Sequence, residues 1–444
     1  MRKITFITII FTHSLILSFT HCTLAQRKLT LDDALKTALE NRIELKNQRV
    51  EVQLSQLETD KLRARWRPQV SSTVDLRWNT QIQTSVIKDA AFIPGGGDAV
   101  IKLGVPFNNT LTINAEQKIF DAQKKVERQI NQNNVQQKEI TLEKLKTDMR
   151  LSITEAYFGA LWAKEKLTLS AQGIARAKTY LATAEEQLTK GIILTNDVEK
   201  LRLDLSNAEF THRKDQQDYQ LALQNLVYQM GEPTENQAIE LSENLTQLTN
   251  LPLTPSVEIN TANRSEIKTE MLGLRANELN VQKQRVAMLP TLLAYGTYGT
   301  LQFSDVPNPF ATNSWFNYNF LGLRLSVPIY NGGQTRANQQ EYLLRGQLNK
   351  NNAEKLKKDF DYEASSTRNT YQQAIENLGQ TQQNVALAKQ ILATDQVRFD
   401  KGTLLLQAIK NSEYSLQTAE NNYLRAVYEA LVARVRYQKA AGLL

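Results

Sequence analysis

The sequence predicts a mainly α-helical chain that also lends strands to a membrane β-barrel. Three observations carry this reading: a long proline-free stretch with helical spacing, a duplication of the whole pattern, and short alternating segments of bilayer-crossing length between the helices. Four such segments per chain cannot close a barrel, so several copies of the chain must share one.

The helical stretch runs from Asp121 to about Met230, and no proline lies between Pro106 and Pro233. It reverses at Lys190-Gly191-Ile192-Ile193-Leu194-Thr195-Asn196-Asp197, which gives two antiparallel helices. The arm from Asp121 to Gly191 would be roughly 105 Å long as continuous helix. Beyond the turn, Val198, Leu201, Leu205, Ala208, His212, Asp215, Tyr219, Ala222 and Leu226 fall at alternating steps of three and four, a seam for packing one helix on another. An ordinary four-helix bundle would show the same seam; the length and the repeat argue against it.

Asn41-Arg42-Ile43-Glu44-Leu45 returns 222 positions later as Asn263-Arg264-Ser265-Glu266-Ile267, and Pro68 and Pro290 keep that spacing. Lys190-Gly191 returns as Lys401-Gly402 after 211 positions, as do Leu181-Ala182-Thr183 at Leu392-Ala393-Thr394 and Gly231 at Gly442. Two blocks in register and in the same order make one unit used twice. The expected division is a leader at 1–25, a first repeat at 26–231, a connector at 232–258 with Pro233, Pro252 and Pro255, and a second repeat at 259–444. Each repeat opens with a helix, the first from Leu29 to about Arg65 with Thr30 as N-cap. The strand hairpins are expected at 68–120 and 290–330, and the helical turns near 190–197 and 401–408.

In the first hairpin Val70, Ser72, Val74, Leu76 and Trp78 alternate with Ser71, Thr73, Asp75, Arg77 and Asn79, and Leu111, Ile113, Ala115 and Ile119 with Thr112, Asn114, Glu116 and Lys118. In the second, Leu321, Leu323, Leu325, Val327 and Ile329 alternate with Gly322, Arg324, Ser326 and Pro328. Asp75, Arg77, Glu116, Lys118 and Arg324 all fall opposite the apolar set, which makes them candidates for a barrel lumen. A fourth strand, Leu292 to Thr300, leaves its facing open because Tyr295, Thr297 and Tyr298 suit either side. Trp66, Trp78, Tyr295, Tyr298, Trp315, Phe316, Tyr318 and Phe320 would form an aromatic girdle at the membrane interfaces. A small soluble sheet is the competing reading of the same alternation. Phe92-Ile93-Pro94-Gly95-Gly96-Gly97 and Asp305-Val306-Pro307-Asn308-Pro309 read as the connecting loops.

Arg2 and Lys3, the apolar run Ile4 to Phe19 and the small residues around Ala25 describe an export signal. A lipid anchor on Cys22 ranks second, because Phe19-Thr20-His21 puts no small residue before the cysteine. Removal of the leader lowers the formal charge from +7 to +5, takes the one cysteine and leaves His212 as the one histidine. Disulfides, thiolate metal sites and cysteine nucleophiles are thereby excluded, and no cofactor or catalytic constellation can be assembled. The basic residues are dispersed without interleaved aromatics, which argues against nucleic acid. No apolar run is long enough for a transmembrane helix, a test blind to β-barrels.

The order of leader, helix, proline, strand hairpin, long helix, glycine turn and returning helix, all repeated, resembles the TolC-like outer membrane efflux proteins over nearly the whole chain after the leader. The short motifs are Ile119-Phe120-Asp121, its counterpart Ile329-Tyr330-Asn331-Gly332-Gly333, and the Lys-Gly turns. The resemblance implies a homotrimer in the outer membrane with a twelve-stranded barrel and an α-helical tunnel across the periplasm, serving efflux or type I secretion. It implies that the tip carrying Lys190, Gly191, Ile192, Lys401, Gly402 and Thr403 meets a periplasmic adaptor and an inner-membrane pump or secretion ATPase. A soluble periplasmic coiled-coil adaptor is the alternative.

The tip departs from the best-known members. Asp197 stands where the family has an acidic residue, but Phe399, Leu404, Ala408 and Asn411 occupy the positions of a tyrosine, an arginine and two aspartates. The expectation is closure of the tip by apolar packing of Phe399 and Leu404, with Asp197 as the remaining charged ring.

Overall fold

The computed structural model describes residues 27–88, 97–233, 239–249, 261–311 and 315–444. The leader with Cys22, the Phe92–Gly96 part of the first loop, and Pro252 and Pro255 of the connector lie outside the described residues. A short strand, β1 (Arg27–Leu29), precedes two helices, α1 (Leu31–Asn41) and α2 (Ile43–Ala64). Strands β2 (Gln69–Trp78), β3 (Thr84–Ile87), β4 (Ala99–Lys102) and β5 (Phe107–Phe120) follow, then helices α3 (Gln123–Thr189) and α4 (Thr195–Met230). The second half has β6 (Ile239–Leu241), α5 (Ser265–Val286), β7 (Thr291–Ser304), β8 (Trp315–Ser326), α6 (Gln334–Asp400) and α7 (Leu406–Ala440).

Both repeat spacings reappear in these bounds. Helices α2 and α5 begin and end 222 residues apart, and α3 and α6, each of 67 residues, begin and end 211 apart. Between Ala64 and Gln123 lie 58 residues, and between Val286 and Gln334 only 47; the longer passage accommodates the extra β3–β4 hairpin.

Thr30 caps α1 as expected: the Asp33 amide donates to its hydroxyl at 3.2 Å, and the Thr30 amide reaches back to the Asp33 carboxylate at 3.4 Å. The single helix expected from Leu29 to Arg65 is broken at Arg42, whose ψ of 123° is extended. The cause is distant in sequence. Arg42 Nη1 donates to the Tyr228 and Gln229 carbonyls, both at 3.4 Å, and so satisfies the end of α4. Helix α3 is therefore flanked by two helices in succession. Its first part meets α2, through Asn131 and Thr59 at 2.8 Å, and its later part meets α4, through Lys166 and Asp215 at 2.7 Å. The nine seam positions of α4 are all buried or half-buried, which is what a packing stripe requires. Asp215 sits there at 3% exposure because Lys166 neutralises it, and His212 Nδ1 lies 3.0 Å from the Ser170 hydroxyl.

The connector contributes a strand that its weak periodicity hid. Strand β6 pairs in parallel with β1, and Tyr157 donates to the Leu29 carbonyl at 3.2 Å while Lys164 donates to the Leu241 carbonyl at 2.7 Å. These contacts seat the pair on the main apolar cluster, built around Tyr157, Leu161, Leu226, Met230 and Val427.

At the other end of the long helices, the four longer strands form one antiparallel sheet in the order β2-β5-β7-β8. Strand β8 ends at Ser326, short of the expected Ile329, since Pro328 has no N–H to offer a ladder. Among the described residues no helix is long and apolar enough to cross a membrane.

Candidate functional site

Two regions could act on something outside the chain: the glycine turns and the sheet. In the first turn the Ile192 amide donates to the Gln187 carbonyl at 3.0 Å and the Gly191 amide to the Leu188 carbonyl at 2.9 Å. In the second, Thr403 donates to Arg398 and Gly402 to Phe399, each at 2.9 Å. Gly191 and Gly402 sit at φ of +72° and +70°, the left-handed conformation that lets a helix end and the chain turn back at once. The two turns touch, for a Cβ on Gly402 would meet Ile192 Cγ2 at 3.9 Å.

Lys190, Gly191, Ile192, Lys401, Gly402 and Thr403 all lie on the exposed tip, with Lys190 ion-paired to Glu186, whose carboxyl it holds below the usual range. Asp197 is half-buried and holds Lys200 at 3.0 Å. Ala408 and Leu404 are half-buried, while Asn411 is exposed and accepts from Gln407 at 3.0 Å. Phe399 is placed differently from the sequence expectation. Its ring is 1% exposed and meets Tyr180 edge-on at 6.4 Å, inside the chain's own apolar cluster with Val198, Leu201 and Ile409. It is spent within the subunit and offers no surface for sealing against another copy.

The sequence reading missed Leu194 and Leu405, which are 72% and 80% exposed. They are equivalent under the 211-residue repeat, and each occupies the extended residue before α4 or α7. A leucine at both N-cap positions, where Ser, Thr or Asp is usual, was the available signal. Also missed was the polar joint between the halves above the tip. Arg176 on α3 holds Glu413 on α7 at 2.6 Å, Lys410 holds Asp204 at 2.5 Å, and Gln187 donates to the Phe399 carbonyl at 3.0 Å.

In the sheet, the pairing brings the five charged positions to one face. Arg77 stands opposite Asn108 and Asp75 opposite Thr110; Glu116, Tyr295 and Gly322 share a row, as do Lys118, Leu293 and Arg324. The reverse face carries Val70, Val74, Leu76, Leu111, Leu323 and Leu325. The girdle expectation fails for Tyr295, Phe316, Tyr318 and Phe320, which share the charge-bearing face.

A family model described as outer membrane efflux protein matches residues 34–232. The chain is 24% identical over 311 residues to the alkaline protease secretion protein AprF of Pseudomonas aeruginosa, an alignment covering 67% of this chain and 62% of that protein. The Campylobacter jejuni CmeC outer membrane channel superposes with a TM-score of 0.71 at 16% identity, covering 93% of this chain and 85% of that one. This chain has the fold of an outer membrane efflux protein. The outer membrane protein VceC of Vibrio cholerae gives 0.67 at 15% identity over 93% and 96% of the two chains. The Neisseria gonorrhoeae MtrE channel, solved in its open state, gives 0.69 at 15% over 93% and 88%. Among the described residues β2 and β8 are the outer strands of the sheet, each paired on one side.

Proposed function

We propose that the protein is a passive exit duct of the outer membrane: a homotrimer whose twelve strands close a barrel and whose helices continue it as a tunnel through the periplasm. The observation that carries this is the sheet whose two edges are unpaired among the described residues and which has one apolar face, leading into helices of 67 residues. An open edge cannot stand in hydrocarbon. Neighbouring strands in β2-β5-β7-β8 alternate in direction, so β8 of one copy meets β2 of the next antiparallel again.

The lumen in this reading is lined by Asp75, Arg77, Glu116, Lys118 and Arg324. A periplasmic adaptor docks on the tip at Lys190, Gly191, Ile192, Lys401, Gly402 and Thr403, with the exposed leucines 194 and 405 adding apolar area. An inner-membrane pump or secretion ATPase supplies the energy. Closure between copies falls to Leu404, with Asp197 as the charged ring. The export signal at 1–25 and the repeat boundaries at 231 and 259 complete the proposal.

The test is purification from membranes followed by incorporation into a planar bilayer. A carbonate-resistant, detergent-soluble trimer that conducts is the expected result. A monomer soluble without detergent overturns the reading in favour of a periplasmic coiled coil. Asp197→Ala should reduce cation preference, and unchanged selectivity would reject the charged ring.

A further inference from the structure

A duct lined only to hold water has no need of aromatic rings, yet the charge-bearing face has a connected set of them. The Arg324 guanidinium lies 4.8 Å over the Tyr295 ring, Tyr295 meets Phe320 at 6.0 Å, and Phe320 stacks on Tyr318 at 6.4 Å. Phe303 and Phe316, 6.3 Å apart, continue the set toward the end of the sheet away from the helices. From Phe316 to Arg324 the strand advances roughly 27 Å, most of the apolar thickness of a bilayer.

We propose that this face is a binding track for planar, apolar molecules that carry a negative charge, engaged as they pass out through the barrel; the inference rests on the duct reading above. Three features favour a binding role over simple packing. Phe316 and Phe320 are 60% and 46% exposed, so the rings are not consumed in a core. The rings also lie flat. A Cβ on Gly299 would stand 2.5 Å from the Tyr318 ring, and one on Gly322 would stand 2.7 Å from the Tyr295 ring. Glycine at these two positions lets each tyrosine lie across the neighbouring strand, so that Tyr295 seats the Arg324 guanidinium and Tyr318 lies flat beside the Phe320 ring, the geometry a planar guest stacks on.

Charge gives the track its preference. Asp75 and Arg77 neutralise each other at 2.9 Å, Lys118 is ion-paired to Asp121 at 3.7 Å, and Glu116 stands on β5 in the Tyr295 row; Arg324, on β8 with β7 between it and β5, has no ion pair among the described residues. Lys118 and Arg324 sit at the helix-side end of the strands, where cargo enters the barrel. An anionic group would meet them there while its flat apolar part lies along Phe320 and Tyr318, whose ring planes are 22° apart. A long-range field from one such pair is screened within about 8 Å in physiological salt, so only cargo already at the wall is selected. The opposite face cannot serve, since Leu321, Leu323 and Leu325 there are 92%, 70% and 65% exposed and form the apolar side.

Reconstituted trimers in planar bilayers test this with pyrene sulfonate as probe and methanesulfonate as control. Wild type should show transient current blockades with pyrene sulfonate and none with methanesulfonate. Phe320→Ser should shorten the blockades roughly two- to tenfold, the value of one stacked ring, with the conductance in salt alone unchanged. Arg324→Gln, which leaves the sheet ladder intact, should weaken block by pyrene sulfonate and leave block by neutral pyrenemethanol as it was. Equal blockades in wild type and both variants overturn the track while leaving the duct reading standing. A wild type that forms no pore overturns the duct reading and the track with it.

Discussion

Gly231 packs its α-carbon against the backbone of Arg42: a Cβ there would lie 3.0 Å from the Arg42 nitrogen and 3.1 Å from the Asn41 carbonyl carbon. This contact seats the end of α4 against the break between α1 and α2. Gly231 also sits at φ +72°, so its bareness is required twice. Gly231→Ala should destabilise the protein by at least about 1–2 kcal/mol from the backbone conformation alone. The contact with backbone, which cannot swing aside, adds to that. Thermal melts of the detergent-solubilised protein check it; Gly159→Ala, a helical site with nothing within 4 Å of the added Cβ, is the control expected to melt like wild type or slightly higher.

The sheet makes a similar demand through side chains. Gly299→Ala or Gly322→Ala pushes a methyl into the Tyr318 or Tyr295 ring and lifts it from the strand. Overpacking of this kind costs about 1–3 kcal/mol. Each variant should lower the melting temperature of the assembled protein, and pairing Gly299→Ala with Tyr318→Ser should restore it. A double variant no better than Gly299→Ala alone would show that the ring does not lie across Gly299.

What the sequence disclosed and what it concealed divide along one physical line. Packing on one side of a helix imposes a period, so the seam from Val198 to Leu226 was readable without coordinates. One apolar face in a strand imposes another, so Asp75, Arg77, Glu116, Lys118 and Arg324 could be assigned to a common side. Features set by a partner far along the chain left no such trace. The break at Arg42 is decided at Tyr228 and Gln229, and β6 exists because β1 lies beside it. Tyr295 and Tyr298 suited both faces until pairing with Gly322 and Asn319 resolved them to opposite sides. Phe399 was read by its match to a tip position of the resembling family, but its surroundings are Tyr180 and Ile409, which belong to other helices.

Burial holds the Tyr157 hydroxyl well above its ordinary ionisation range, and the Glu243 carboxylate nearby adds to the effect. The neutral phenol is the folded form. Its contribution to stability is therefore complete below the unfolded value of 10.0 and is lost as pH climbs beyond it, because the unfolded chain ionises while the folded one resists. Tyr157→Phe should flatten the fall in stability between about pH 10 and about pH 12. At neutral pH it should cost about 0.5–1.5 kcal/mol for the lost hydrogen bond. The loss stays modest because the Leu29 carbonyl keeps the Ser242 amide at 3.2 Å and hydroxyl at 3.1 Å. Parallel denaturant titrations across that range read both effects, and equal slopes for wild type and variant would reject the role of the phenol.

The joint between Arg176 and Glu413 decides how firmly the two halves stay together near the tip. Both side chains are less than a quarter exposed, the contact is 2.6 Å, and Glu420 stands 3.7 Å from the same guanidinium. A charge-assisted bond so placed contributes about 1.5–3 kcal/mol, more than an exposed pair. Arg176→Ala leaves Glu413 without its cation, while Glu420 keeps Lys389 at 3.6 Å, and should lose most of that. Arg176→Ala with Glu413→Gln should lose less, because the remaining buried charge is relieved. In the proposed duct, where the joint would restrain the tip, Arg176→Ala should also raise the open fraction in single-channel records while the main cluster around Tyr157 keeps the chain folded. Lys410 and Asp204 form a second strap at 2.5 Å, so Lys410→Ala in the Arg176→Ala background should open the tip further than either change alone. Additive opening means that the straps act independently; an effect no greater than the stronger single variant means that releasing one already frees the other.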